Sequence, residues 1–212
     1  AAYLEQLDKD QGLQIEQNNY TEITPKMLAN ALVTVGVKDL NIYGTAAEKI
    51  SGVVGLTGIL KGVQALTKAG LPEETQRIAA RELVLTAKLG DRIGRERAAT
   101  FVERAKENLF EVDQTVATII DEVDKAQNVK LNDSERQEFI NLFEIVKGLK
   151  LDARQLKTQL KNFQPEPEET DKTAEKDSES WLDRVIAFFR SLVDSFMSYA
   201  GRIFGFVNGE LK

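Results

Sequence analysis

Two short stretches near the start of the chain alternate apolar and polar residues, which is the pattern of a strand with one buried face. They cover residues 12–17 and 39–44. Between them, residues 28–35 carry apolar side chains at helical spacing, and Thr24 stands where it can cap the first turn. The pattern predicts a small strand–helix–strand unit within residues 1–49.

Residues 50–163 show helical periodicity almost throughout. Asn132 and Asp152 stand where they can cap later helices, and Gly90 is predicted to end the helix that begins at Pro72. We therefore expect a helical bundle after the small unit, in an α+β fold that is predominantly helical.

Residues 164–180 differ in composition from the rest of the chain. They hold seven acidic residues and two lysines, a net charge of −5, and no large apolar side chain. Such a segment cannot bury enough apolar surface to offset the entropy lost on ordering. It is predicted to be a disordered linker to residues 181–212.

An amphipathic helix is predicted for residues 181–212, tethered by this linker. At 100° per residue, apolar side chains fall on one half of the circumference, opposite three arginines and two aspartates. The charges argue against crossing a bilayer, whereas aromatic side chains suit its interface. Docking on the chain's own core, on a protein partner or on another copy remain open alternatives. The residues proposed to bind a membrane or partner are Trp181, Leu182, Val185, Ile186, Phe189, Val193, Phe196, Ile203 and Phe204.

Composition removes several kinds of chemistry from consideration. The chain of 212 residues contains neither cysteine nor histidine, so thiolate and imidazole chemistry are excluded. The net charge of −6 and the absence of a basic region argue against nucleic-acid binding. We assign no cofactor.

Each of two short motifs can be interpreted as a binding site or, more simply, as a structural feature. Residues 51–58 are glycine-rich at a helix start, which suits phosphate, but the Gly-Lys-Ser/Thr that ends a P-loop is missing. Gly55, Gly58 and Gly62 lie on one side of a helix, so close packing is the favoured interpretation. Ser51 and Thr57 are more consistent with capping or packing than with a nucleophile. The acids within residues 121–124 are candidates for calcium, although a solvated helix face explains them as well.

Four segments resemble the bacterial "domain of unknown function 1002" family. They are residues 23–39, which read ITPKMLANALVTVGVKD, together with 54–62, 82–90 and 128–161. The likeness extends over residues 12–163. It implies an exported protein of Gram-positive bacteria and carries no assigned activity or catalytic residue. Family members carry an export signal and further chain before this region, so we expect the natural protein to extend before residue 1.

The function suggested by the sequence is that of a non-enzymatic structural or binding protein of the cell envelope. The C-terminal helix would attach it to a membrane surface or a protein partner, and a homo-oligomer is possible. The alternative is a hydrolase that uses carboxylates or a Ser/Thr hydroxyl. An enzyme of that kind needs a deep pocket with converging acids of perturbed pKa.

Limited proteolysis should cut first within residues 164–180 and leave a folded core, because exposed segments without apolar residues are preferred protease sites. Mass spectrometry of the first fragments identifies the cut. First cleavage among residues 50–160 would show that the boundary of the core is misplaced.

Overall fold

The computed structural model describes residues 1–67, 70–149 and 151–165. The fold is α+β and predominantly helical, as predicted. The tail at 181–212 and the predicted linker beyond residue 165 lie outside the described residues. The elements in chain order are β1 Ala2–Gln6, β2 Leu13–Thr21, α1 Pro25–Thr34, β3 Leu40–Ser51, α2 Gly52–Thr67, α3 Glu73–Ile93, α4 Arg95–Glu111, α5 Val116–Gln127, α6 Asp133–Gly148, α7 Ala153–Lys161 and β4 Gln164–Pro165.

The sheet is built around the predicted strand–helix–strand unit. The strand order in the sheet is β1-β3-β2-β4. Strands β2 and β3 run parallel, with Leu13 beside Leu40, and α1 connects them along the chain. Sequence reasoning missed β1, an antiparallel edge strand in which Leu4 is the one large aliphatic residue. Strand β4 pairs with β2, so the sheet reaches two residues into the range assigned to the linker.

Helix α1 lies between the sheet and the bundle. Nine of its ten residues are buried, and it contacts α3, α4 and α7 as well as β2. The bundle beyond α1 has an aromatic centre. Phe101 packs edge to face on Phe139 with 5.1 Å between the ring centroids, and Phe143 stacks on Phe139 with 6.3 Å between the ring centroids. Up to residue 165, the sheet and the helices therefore pack as one compact unit.

Most predicted helix starts are confirmed by side-chain caps. The Thr24 hydroxyl accepts a hydrogen bond from the Met27 backbone N–H, and Asp152 caps α7. Asn132 and Glu135 form a reciprocal capping box at the start of α6.

The predicted helix end at Gly90 is wrong. Helix α3 runs on to Ile93 and ends at Gly94, whose φ of +93° suits glycine. A Cβ on Gly90 would lie 3.1 Å from the Cα of Arg95, so the glycine instead makes room for the close turn into α4.

The glycines of α2 mark where this helix approaches the sheet. A Cβ on Gly55 would stand 2.5 Å from the ring of Tyr20 on β2, and one on Gly62 would meet the Leu4 side chain on β1. Gly58, in contrast, has nothing within 4 Å of a Cβ. Close packing, the simpler interpretation of these glycines, is therefore confirmed for two of the three.

Gly55→Ala should destabilise the fold by about 1–3 kcal/mol, because the methyl group forces the Tyr20 ring out of a packed position. The matched control Gly58→Ala should stabilise it by about 0.5–1 kcal/mol, because alanine gains only helix propensity there. Denaturant unfolding measures both. Equal effects of the two substitutions would contradict the packing described.

Candidate functional site

The residues proposed to bind a membrane or partner, from Trp181 to Phe204, lie outside the described residues. In the described part, the candidate sites are the sequence motifs and the polar groups that the fold brings together.

The hydroxyls of the glycine-rich segment are engaged with helix backbone. Ser51 accepts a hydrogen bond from the Val53 N–H at 3.3 Å, and Thr57 donates one to the Val53 carbonyl at 3.2 Å. The interpretation of Ser51 and Thr57 as capping or packing residues is confirmed.

The acids of residues 121–124 face separate partners. Asp121 receives two hydrogen bonds from Arg136, at 2.6 and 2.7 Å, which lower the pKa of its carboxyl. Glu122 is paired with Gln114, and Asp124 accepts from the backbone N–H of Leu131. In the part of the chain that is described, no three acids come together where they could hold a metal ion.

A buried polar network joins α1, α3 and α4. The Lys106 amine donates to Glu82 Oε1 at 2.5 Å and to the backbone carbonyl of Asn30 at 2.6 Å. The other Glu82 oxygen accepts from the Thr34 hydroxyl at 2.6 Å. Lys106 is 0% and Glu82 1% exposed, so water does not reach either group.

Burial sets the electrostatics of this network. It lowers the pKa of Lys106, against the opposing effect of Glu82 and of the more distant Glu103. Asn30 donates from Nδ2 to the Ala99 carbonyl at 2.9 Å, but its Oδ1 is buried without a hydrogen-bond partner. The network is therefore enclosed and incompletely satisfied, which is unusual for buried polar groups.

Sequence reasoning did not find this network, although a signal for it exists. Glu82 occupies an apolar-face position of α3, four residues after Ile78, and Lys106 does the same on α4, three residues before Leu109. One opposite charge within each of two apolar stripes indicates that the stripes pack together and the charges meet.

A second network joins the loop before β3 to α7. Asp39 Oδ1 accepts from Gln159 at 2.7 Å and from the Gly12 N–H at 3.1 Å, and Gln159 accepts from the Asp39 N–H. Burial alone would raise the pKa of Asp39. The hydrogen bonds from Gln159, Gly12 and Asp10, with the nearby charge of Lys38, outweigh burial and lower this pKa.

The described residues contain clefts of clearly different size. The one beside Gln159, between the end of α1 and α7, holds about 60 Å³, room for about two water molecules. A wider groove of about 320 Å³ lies between α4 and α5 and is lined by residues that include Arg104, Asn108 and Glu122. The described helices include none that is long and apolar enough to cross a bilayer.

Comparison with known proteins gives a family but no activity. The model of a family described as "Protein of unknown function (DUF1002)" matches residues 1–163. The "Uncharacterized protein YpuA" of Bacillus subtilis (strain 168) is 35% identical over 196 residues, which cover 90% of this chain and 67% of the relative. No solved structure matches.

Asp39→Asn should reduce the dependence of stability on acid pH. The pKa of Asp39 is lower in the folded chain than in the unfolded chain, where it is about 3.9. Asp39 therefore stabilises the fold at pH values above the unfolded-state pKa, and this stabilisation is lost as the pH falls through the folded-state pKa. Asparagine tolerates the left-handed φ of +50° at this position. The unfolding free energy should be measured from pH 7 to pH 2.5. Asp113→Asn, in the exposed loop after α4, is the control, and an equal flattening in both variants would contradict the assignment.

Proposed function

Because the chain belongs to the DUF1002 family of proteins of unknown function, we propose that it is a non-enzymatic, extracytoplasmic protein of the cell envelope. In this proposal, residues 1–165 form a rigid binding or structural core, and the predicted helix at 181–212 attaches it to a membrane surface. The observation that carries the proposal is the single stripe of sixteen apolar side chains in that helix.

The balance of charge and apolar area favours a membrane surface that is bound through apolar contact. The polar side of the predicted helix has three arginines and two aspartates, a net charge of +1. Attraction to anionic lipid, at about 1 kcal/mol per basic residue, is therefore a minor contribution. Each large apolar side chain that becomes buried contributes about 1.5–3 kcal/mol, so apolar burial dominates.

The polar chemistry of the core supports a structural role for it. Lys106 and Glu82, and likewise Asp39 and Gln159, are enclosed and bonded to one another. The cleft beside Gln159 has room for little more than water, and the lining of the wider groove between α4 and α5 contains one acid, Glu122. A carboxylate hydrolase instead needs two acids facing one bound substrate, and those of residues 121–124 face separate partners.

The route by which the chain leaves the core also suits a tether. Its last described element, β4, pairs with β2 in the sheet. Just before it, the Asn162 side chain donates to the Asp10 carbonyl at 2.8 Å, and Gln159 is held by Asp39. The chain up to residue 165 is therefore bonded to the sheet and to the segment before β2.

Full-length protein should co-sediment with vesicles that contain anionic lipid, and the binding should change little with salt. Phe189→Glu combined with Phe196→Glu should abolish binding, because two charges then lie in the apolar stripe. Arg190→Ala, on the polar side, is the matched control and should matter much less.

A truncated chain of residues 1–180 tests the location of the attachment and should stay in the supernatant. If full-length protein also stays there, the membrane proposal fails. If it is monomeric as well, docking of the tail on its own core becomes the better explanation.

A further inference from the structure

The buried network between α1, α3 and α4 bonds the Lys106 amine both to the Glu82 carboxyl group and to the backbone of Asn30, a residue whose side chain is a carboxamide. An amine, a carboxyl group and a carboxamide are the three groups that form an amide cross-link between side chains. We propose that Lys106 and Asn30 become joined by an isopeptide bond, with Glu82 transferring the proton. This modification is independent of membrane attachment, and neither proposal depends on the other.

The contacts hold the attacking atom beside its target residue. The Lys106 Nζ is 2.6 Å from the backbone carbonyl oxygen of Asn30 and 2.5 Å from Glu82 Oε1. The other Glu82 oxygen is fixed by the Thr34 hydroxyl at 2.6 Å, so the carboxyl group is held in place. The nucleophile and the proton carrier are thereby positioned before any reaction.

The target carboxamide is loosely held for a buried group. One hydrogen bond retains it, from Nδ2 to the Ala99 carbonyl at 2.9 Å, and its Oδ1 has no partner. In the proposed reaction the Asn30 side chain turns from Ala99 toward Nζ, and its Oδ1 accepts a hydrogen bond from protonated Glu82. The unsatisfied oxygen thus gains a hydrogen bond in the reactive arrangement.

Burial shifts the Lys106 amine toward its neutral form. Lys106 is fully enclosed, and burial lowers the pKa of its amine, since a charged group is poorly solvated there. When the proton moves from Nζ to Glu82, both buried charges disappear together. The resulting neutral amine is a nucleophile and the resulting carboxylic acid is a proton donor.

The reaction balances without another reactant. Protonated Glu82 donates a hydrogen bond to Asn30 Oδ1, and the Nζ lone pair attacks the carboxamide carbon to form the C–Nζ bond. Glu82 then gives its proton to Nδ2 and accepts one from Nζ, the C–Nδ2 bond breaks and ammonia leaves. The products are a secondary amide and one ammonia, with Glu82 protonated as it was when the amine attacked. The bond joins α1 to α4 across 76 positions of sequence.

The experiment is the intact mass of the purified full-length chain under denaturing conditions. We expect a mass lower than that of the sequence by one ammonia, and a protease digest in which the peptides containing Asn30 and Lys106 are joined. Glu82→Gln and Asn30→Ala should each restore the full sequence mass. Lys26→Arg, which changes another lysine at the α1–α4 contact, should retain the loss.

The mass of the chain without substitutions tests the proposal even if these variants fail to fold. A mass equal to that of the sequence after prolonged incubation of the folded chain would overturn the proposal. Loss of one water instead of ammonia would also overturn it, since that product is an amide between Lys106 and Glu82. A loss of ammonia that persists in Asn30→Ala would place the modification elsewhere in the chain.

Discussion

The meeting of the Lys106 amine with the Glu82 carboxyl fixes how three helices lie against one another. Neither group reaches water, and an unpaired charge at either position would cost several kcal/mol. Helices α3 and α4 therefore cannot slide or rotate independently. Helix α1 is included in the same constraint, because Thr34 binds the carboxyl and the Asn30 carbonyl binds the amine. Apolar packing alone tolerates several registers of such helices, whereas this polar contact favours one.

A second polar contact closes the core from its other end. Gln159 on α7 exchanges hydrogen bonds with Asp39, which precedes β3, and Asp39 also holds the Gly12 N–H before β2. The end of the helical bundle is thus connected to the beginnings of two strands. Strand β4 then joins the sheet beside β2. This arrangement explains why residues far apart in sequence form one compact unit up to residue 165.

The proposals divide the chain according to what its residues are free to do. In the core, buried polar side chains such as Lys106 and Glu82 are bonded to one another, which suits a stable fold and an internal cross-link. The apolar stripe at 181–212 is the strongest sequence indication of an external contact. A cross-link between α1 and α4 would make the core harder to unfold, and the outcome of its mass measurement leaves the vesicle experiment unaffected.

Local patterns determined much of this protein from the sequence by itself. Alternation predicted the beginnings of β2 and β3, and helical spacing predicted the helices. The caps at Thr24 and Asp152 were also identified correctly, because each depends on residues a few positions apart. Strand β1 was missed because five residues with one large aliphatic side chain give a weak pattern, and Gly90 was misread because its role is set by Arg95 across a turn. The partnership of Lys106 with Glu82 and Asn30 was decided by the tertiary structure. No local pattern specifies which buried charges meet, since that depends on how separate helices pack.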